Sequence, residues 1–438
     1  MSPKRVAVVG AGLSGLAAAL DLEERGYTVD VFERSRLLGG RATSFEVGGR
    51  EIDNGQHVFL HCCDRFIEFV GRVGMGHALR EQARFDALVL ARDGTSSRLR
   101  AAPLPAPFHL LVSFAGYAHL DMGGRIRVAR ALASVALSRR PDAELTFDEW
   151  LGRNGQNAAT RRAFWDPFFI PALNASFDRV SAVDALFVIS TAFLSNASAA
   201  RFGFSTVPLA HVAAAAAARI SAVHLSTAVL ALEVGEDGIE LLLPQEQRRS
   251  FDAVVLAVSP RTTARLLGSP ERFGVRSLDT YDPYPIVDVH LWHDRGALGF
   301  DFAAVLDSPL QWIFEKDEGY VCCSISAAGD VLTVPTSELE RLAWQELCAF
   351  IPALRGGAVQ HAAATRNPEA TYLPRPGAPR TLQRTAHPRV AIAGSWTETG
   401  WPDTMESAVR SGISAAEAIV GGLHNRRRAD RKEHFDEV

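Results

Sequence analysis

The chain reads as an α/β protein in which a Rossmann-like, doubly wound parallel sheet is interleaved with a second, α+β domain. Three features predict this. A β-branched run, Val6-Ala7-Val8-Val9, turns on Gly10, Gly12 and Gly15 straight into an Ala/Leu-rich helix, the strand-turn-helix that points a helix N-terminus at a phosphate. The next strand, residues 28–32, is followed by Glu33, an acid at the distance expected for gripping ribose hydroxyls. Further strand-like runs suited to the same sheet return only after long excursions, so the 438 residues suit two domains, neither of them contiguous.

Composition narrows the class. A net charge of -4, with 47% hydrophobic and 22% charged residues, is ordinary for a globular protein and gives no electrostatic case for nucleic acid or an anionic membrane as principal partner. Cys62, Cys63, Cys322, Cys323 and Cys348 make neither a CxxC pair nor a zinc pattern, and their odd number argues against a secreted disulfide framework. No metal site is expected. The chain enters its first strand at once and carries no run of about 18 apolar residues, so the expectation is a cytoplasmic protein without a signal peptide. Peripheral contact with the inner membrane stays open.

Each element follows in order. Gly10 permits the tight turn, Gly12 lets a pyrophosphate approach bare backbone beside Leu13 and Ser14, and Gly15 lets the helix pack close to the strand. After Glu33 and Arg34, the pair Gly39-Gly40 followed by Arg41 sets amide groups and a guanidinium beside the same ligand. Asp53-Asn54-Gly55-Gln56-His57 is a polar knot between apolar segments, costly to bury without function or a full set of hydrogen bonds. Residues 61–204 read as largely helical. Within them, residues 108–137 have two readings, a helical cap on the core or an apolar entrance facing a membrane surface. Trp165, Phe168 and Phe169 suit a core when taken singly, and the wall of an apolar pocket when taken together. Residues 208–220 read as a helix, and 224–234, 239–243 and 251–258 as three strands. Runs at 286–292, 303–306, 311–314 and 320–325 fit an antiparallel sheet flooring a cavity, with Trp312 among them. Residues 389–394 form a last buried strand ending at Gly394, and a helix from Met405 places its N-terminus, near Thr404, where it would stabilise negative charge.

Taken together, GAGLSGL, Glu33, LLGGRATS and DNGQHVF resemble the flavin amine oxidase and carotenoid-desaturase superfamily. DNGQHVF and the segment FWDP with ALN are similar, more narrowly, to its squalene-associated branch, the hydroxysqualene dehydroxylases of hopanoid biosynthesis; AGSWT and GWP extend the likeness to the end of the chain. The resemblance implies an amine oxidase/GDI-like fold whose FAD-binding domain comprises residues 1–60, 205–275 and 385–424. It implies a substrate domain with a helical cap at 61–204 and 276–384, and residues 425–438 read as a flexible tail. FAD is the implied cofactor, with Val229 reading the adenine edge. Where family members place an acid after the Ala-Gly pair, this chain has Ser395, which loses a charge-assisted hydrogen bond.

The implied reaction replaces the allylic hydroxyl of hydroxysqualene with hydrogen, which needs a proton donor and a hydride. His57 tuned by Asp53 is the first candidate donor; Asp166, Glu398 and Asp403 are others. Trp165, Phe168, Phe169, Trp312 and Trp401 would line the pocket for an apolar isoprenoid. The electron donor is left as a separate reductase or a free reductant, since no second GxGxxG occurs. Carotenoid-type desaturation, amine oxidation and a non-catalytic lipid escort are the alternatives; Lys316 is the sole internal lysine, which weighs against amine oxidation.

Overall fold

The β-branched run forms the strand Arg5–Val9 at the centre of a five-stranded parallel sheet, ordered 222–224, 28–32, 5–9, 253–256, 390–392. The structure, a computed structural model, describes residues 3–137, 141–235 and 238–436, with side chains in the last helix as far as His424. Strand alternation sorts the two faces. Val6 and Val8 pack with Leu16 and Leu20 of the helix Leu13–Glu24 and with Val409 and Ala416 of the helix Met405–Asp436. These two helices touch backbone to backbone: a Cβ on Gly412 would stand 2.2 Å from the Ser14 carbonyl oxygen. On the other face Ala7 and Val9 pack with Ile239, Leu241 and Phe251. That face is covered by a three-stranded antiparallel sheet, Ala231–Val234, Ile239–Leu242 and Arg248–Phe251, and by the helix Pro260–Leu267, so helices alone do not flank the sheet on both sides.

The second sheet has seven strands in the order 359–374, 281–293, 320–326, 312–317, 302–305, 86–90, 96–100, all antiparallel except the pair 302–305 and 86–90. Val287, Val289 and Leu291 turn toward Leu339, Ala343 and Leu347 of the helix Thr336–Phe350. The alternate residues Asp288 and His290 therefore face the other way, toward the first domain. Helices between residues 111 and 194 close that side around an aromatic core of Phe147, Trp150, Trp165 and Phe169. One of them, Phe147–Arg153, starts on a capping box between Thr146 and Glu149.

Four expectations differ from the structure, the first being the single strand read over 251–258, which divides between Arg248–Phe251 of the antiparallel sheet and Ala253–Leu256 of the parallel one. The stretch 61–204 also contains the strands Leu79–Glu81, Asp86–Leu90 and Ser96–Arg100; in the last, Ser97 and Leu99 point inward between exposed neighbours, a period-2 edge strand written in polar residues. The single strand expected over 224–234 is two, Ala222–His224 in the parallel sheet and Ala231–Val234 in the antiparallel one, with Ser226 at φ 51° bending the chain between them. Val229 lies in that connection. The helix Met405–Asp436 runs on through 425–436, which were expected as a flexible tail; residues 437–438 lie outside the described residues.

Candidate active site

The glycine turn has steric reasons for two of its residues. Gly10 adopts φ +106°, and a Cβ there would stand 2.3 Å from the Ala257 carbonyl oxygen; a Cβ on Gly15 would stand 1.9 Å from the carbonyl oxygen of Gly10. Gly12 is different. The position of its Cβ has Gly40 Cα at 3.8 Å as nearest neighbour, and it caps the helix Leu13–Glu24 with no side chain bonded to the first turn. Bare amide groups at the positive end of a 12-residue helix thus face open space.

That space is a cleft of about 950 Å³. It is lined by Gly10, Gly12, Leu13, Ser14, Glu33, Arg34, Gly39, Gly40, Arg41, Gly55, Gln56, His57, Val229, Gly394, Ser395, Thr404 and Met405, and by Phe168, Phe169, Trp312 and Trp401. The donor set suits a dinucleotide: amides at a helix N-terminus for a pyrophosphate, and a buried carboxylate beside the turn for a ribose. Glu33 holds that turn in place, Oε2 accepting from Ala11 N at 2.8 Å and Oε1 from Ser35 N at 2.8 Å. Thr227 N donates to the Glu33 carbonyl at 2.8 Å, which brings the connection carrying Val229 alongside.

Arg41 is committed to protein partners. Its guanidinium forks onto Asp403 at 3.0 and 3.1 Å, donates to the Ala370 carbonyl at 2.7 Å and to the Ser395 hydroxyl, and lies 5.4 Å over the Tyr372 ring. The Asp403 carboxylate also accepts from Tyr372 N at 2.7 Å. Ser395 is therefore linked, through the Arg41 guanidinium, to the Asp403 carboxylate.

Four expected site residues are outside the lining. Gly15 is packed under the turn, against the Gly10 carbonyl. Asp53 is turned to structure: Oδ1 accepts from Ser44 Oγ at 2.6 Å and from Leu209 N at 2.9 Å, anchoring the helix Leu209–Ala217. Asp166 stands at the start of the helix Asp166–Leu173, and burial pushes its carboxyl up from the usual range. Trp165 is wholly buried behind the wall, its Nε1 donating to Gln156 Oε1 at 2.8 Å. Of the further donor candidates, Asp403 lines the cleft and Glu398 does not.

His57 lines the cleft, yet burial pushes its imidazole below the usual range, Asp53 opposing and Lys316 adding to the effect, and Nδ1 has no partner among the described residues. Sequence reasoning missed Asp288. It is 1% exposed, lines the cleft, and burial raises its carboxyl to about 6 despite the Ser324 hydroxyl, the Gln56 amide, Lys316 and the Cys322 thiol. A lone acid at an inward position of a Val-rich strand was the available signal. The apolar wall beside it is aromatic: the rings of Phe168 and Trp312 meet edge-on at 6.0 Å, and Trp312 Nε1 donates to the Pro167 carbonyl at 2.8 Å.

Residues 13–420 match the family described as flavin containing amine oxidoreductase. A hydroxysqualene dehydroxylase of Rhodopseudomonas palustris is 29% identical, the likeness covering 95% of this chain and 98% of that protein. A zeta-carotene desaturase of Capsicum annuum is 24% identical, over 95% of this chain and 80% of the relative. The solved structure of cyclohexylamine oxidase from Brevibacterium oxydans shares the fold, with a TM-score of 0.72 at 19% identity, covering 96% of this chain and 100% of the other.

Proposed function

Because the chain belongs to the family of flavin containing amine oxidoreductases, and is an FAD-dependent oxidoreductase of amine oxidase fold, we propose that it dehydroxylates hydroxysqualene reductively to squalene, a step of hopanoid biosynthesis. One observation carries the reading: the cleft that holds the dinucleotide turn also holds an aromatic wall, in a chain similar along 95% of its length to a hydroxysqualene dehydroxylase. When bound, reduced FAD supplies a hydride.

The rest falls to the protein. Gly12, Leu13 and Ser14 would hold the pyrophosphate by their amides, and Glu33 a ribose. The N-terminus of the helix Met405–Asp436 would stabilise negative charge on a reduced flavin. Phe168, Phe169 and Trp312 hold the hydrocarbon, exclude the water that would recapture an allylic cation, and turn ring faces and edges toward it. Electrons arrive from a separate reductase or a free reductant. The substrate arrives from a bilayer: Phe108, Leu111, Val112, Met122 and Ile126 are exposed on one stretch of the helical cap.

Carotenoid-type desaturation is the second reading, favoured by the likeness to zeta-carotene desaturase. Lys316, by contrast, is exposed outside the lining with Nζ bound to Gln56 Oε1 at 3.1 Å, poorly placed for amine oxidation. Anaerobic incubation of the dithionite-reduced protein with hydroxysqualene is expected to yield extractable squalene. Recovery of unchanged hydroxysqualene, with dehydrogenation of a carotene by the oxidised protein, would replace this reading with the second.

A further inference from the structure

Asp288 is the cleft's anomaly. A carboxyl 1% exposed is ordinarily ionised only against a paired cation, yet this one is held by a hydroxyl, an amide and a thiol, with Lys316 acting on it without forming an ion pair among the described residues. Its geometry is fixed from two sides. In register, Asp288 lies opposite Ser324 on the neighbouring strand, itself in the cleft lining. Across from it passes Gly55 at φ +146°, where a Cβ would stand 3.1 Å from Asp288 Oδ2 and 3.9 Å from His57 Cε1. Glycine at 55 thus leaves the carboxyl its room at the edge of the aromatic wall.

We propose that Asp288 is the proton donor of this cleft, giving its carboxyl proton to the hydroxyl of a bound allylic alcohol. The inference rests on the dehydroxylation read above. The alcohol oxygen takes the Asp288 proton together with both electrons of the breaking C–O bond and leaves as water. The carbon, now an allylic cation, becomes C–H by a hydride from the reduced flavin, which is thereby oxidised by two electrons. The Asp288 carboxylate regains a proton from solvent.

Burial moves the titratable groups around Asp288 as well. On its own strand, burial drives His290 down to about 4; across the Gly55-Gln56 turn, burial lowers His57 as well. On the adjacent strand, burial drives Tyr320, Cys322 and Cys323 upward, out of the neutral window. Lys316 and Asp53 act on the cluster from its rim.

The test uses flavin-loaded protein. In single turnover of the reduced enzyme with hydroxysqualene, wild-type squalene formation should fall tenfold per pH unit above the Asp288 titration, and Asp288→Asn should lose about 10²–10⁴-fold with flavin content unchanged, while Asp288→Glu recovers part. Infrared spectra give a readout independent of turnover. The protonated-carboxyl band absent from Asp288→Asn should shift in wild type when farnesol, a shorter allylic alcohol, is added. Equal squalene rates in wild type and Asp288→Asn overturn the role of Asp288 and leave the reaction standing. No squalene from wild type, with the band still shifting, overturns the reaction and leaves Asp288 as the group that meets the alcohol. Should Asp288→Asn lose its flavin, a wild-type band indifferent to farnesol overturns the proposal.

Discussion

Asp403 does for Arg41 what position 395 leaves undone. The fork of Arg41 onto Asp403, whose side chain is 3% exposed, fixes the guanidinium where the loop after Gly39-Gly40 meets the last strand, and the Ser395 hydroxyl adds one uncharged contact. Asp403→Asn leaves Arg41 with half its partner and is expected to lower flavin retention about tenfold, read as the ratio of flavin to protein absorbance after gel filtration. Ser395→Asp brings a second acid to the same guanidinium and should raise retention by about 1 kcal/mol, roughly fivefold; equal occupancy in the two purified proteins would remove that role from position 395. Asp288 makes stability depend on pH as well. Its folded value, about 6, lies above the unfolded 3.8, so between those values the folded state binds the extra proton and unfolding free energy falls as pH rises. Ionising it costs on the order of 3 kcal/mol, and Asp288→Asn should therefore lose less stability than wild type between pH 4 and 7, as measured by urea unfolding.

Among the elements, the helix Asp166–Leu173 shows how one side chain seats the aromatic wall. Its C-terminal cap, Asn174, is buried at φ 52°, donates from Nδ2 to the Tyr284 carbonyl at 3.1 Å and to Thr371 Oγ1 at 2.9 Å, and accepts from Ala327 N at 2.8 Å. These bonds tie the helix carrying Phe168 and Phe169 to the seven-stranded sheet. Asn174→Ala loses the bonds and must hold a left-handed backbone, a cost of about 3 kcal/mol; Asn174→Gly relieves the backbone part and should recover about 1 kcal/mol in denaturant unfolding. The ALN segment was legible in the sequence, its tie to the sheet was not. The glycine turn, Glu33 and Gly39-Gly40 could be read because they belong to one strand-turn-helix and the strand beside it; Arg41 could be placed next to them, and its distant partner Asp403 could not. Asp288, Asp403 and the strand Ser96–Arg100 act across distances that only pairing sets: Asp288 counts as an acid in the cleft once Gly55 is brought to it, and Asp53, adjacent to the same turn in sequence, is drawn off to cap a helix at Leu209. Val229 was placed by likeness alone, and the structure gives it the same cleft from a connection rather than a strand.

At the scale of the whole molecule, a chain of net charge -4 carries a local face of opposite character. The helix Met122–Leu137 has no acidic residue, exposes Met122 (66%) and Ile126 (52%), and shows Arg127 and Arg130 beside them. Phe108 and Val112 are exposed in the preceding segment, and no helix among the described residues is long and apolar enough to cross a membrane. Docking of this face on anionic lipid is the expectation to test. The protein should co-sediment with phosphatidylglycerol vesicles more than with phosphatidylcholine vesicles, and Val112→Glu with Ile126→Glu should weaken this at least tenfold, about 1.5 kcal/mol or more of apolar contact. Equal sedimentation with both lipids would remove the arginines from the argument, and self-association of the wild type, abolished by the same pair of changes, would make the face a dimer contact.

The strand order of the parallel sheet has a consequence in time. A ribosome releases Gly10 to Ser14 long before Ser395 and Asp403, while the sheet sets 390–392 at one edge and 222–224 at the other, with the earlier-made strand 5–9 between them. The growing chain can shape the mouth of the cleft long before it owns the clasp. A ligand held by both parts of the cleft therefore waits until residues 390–403 have been made and threaded home.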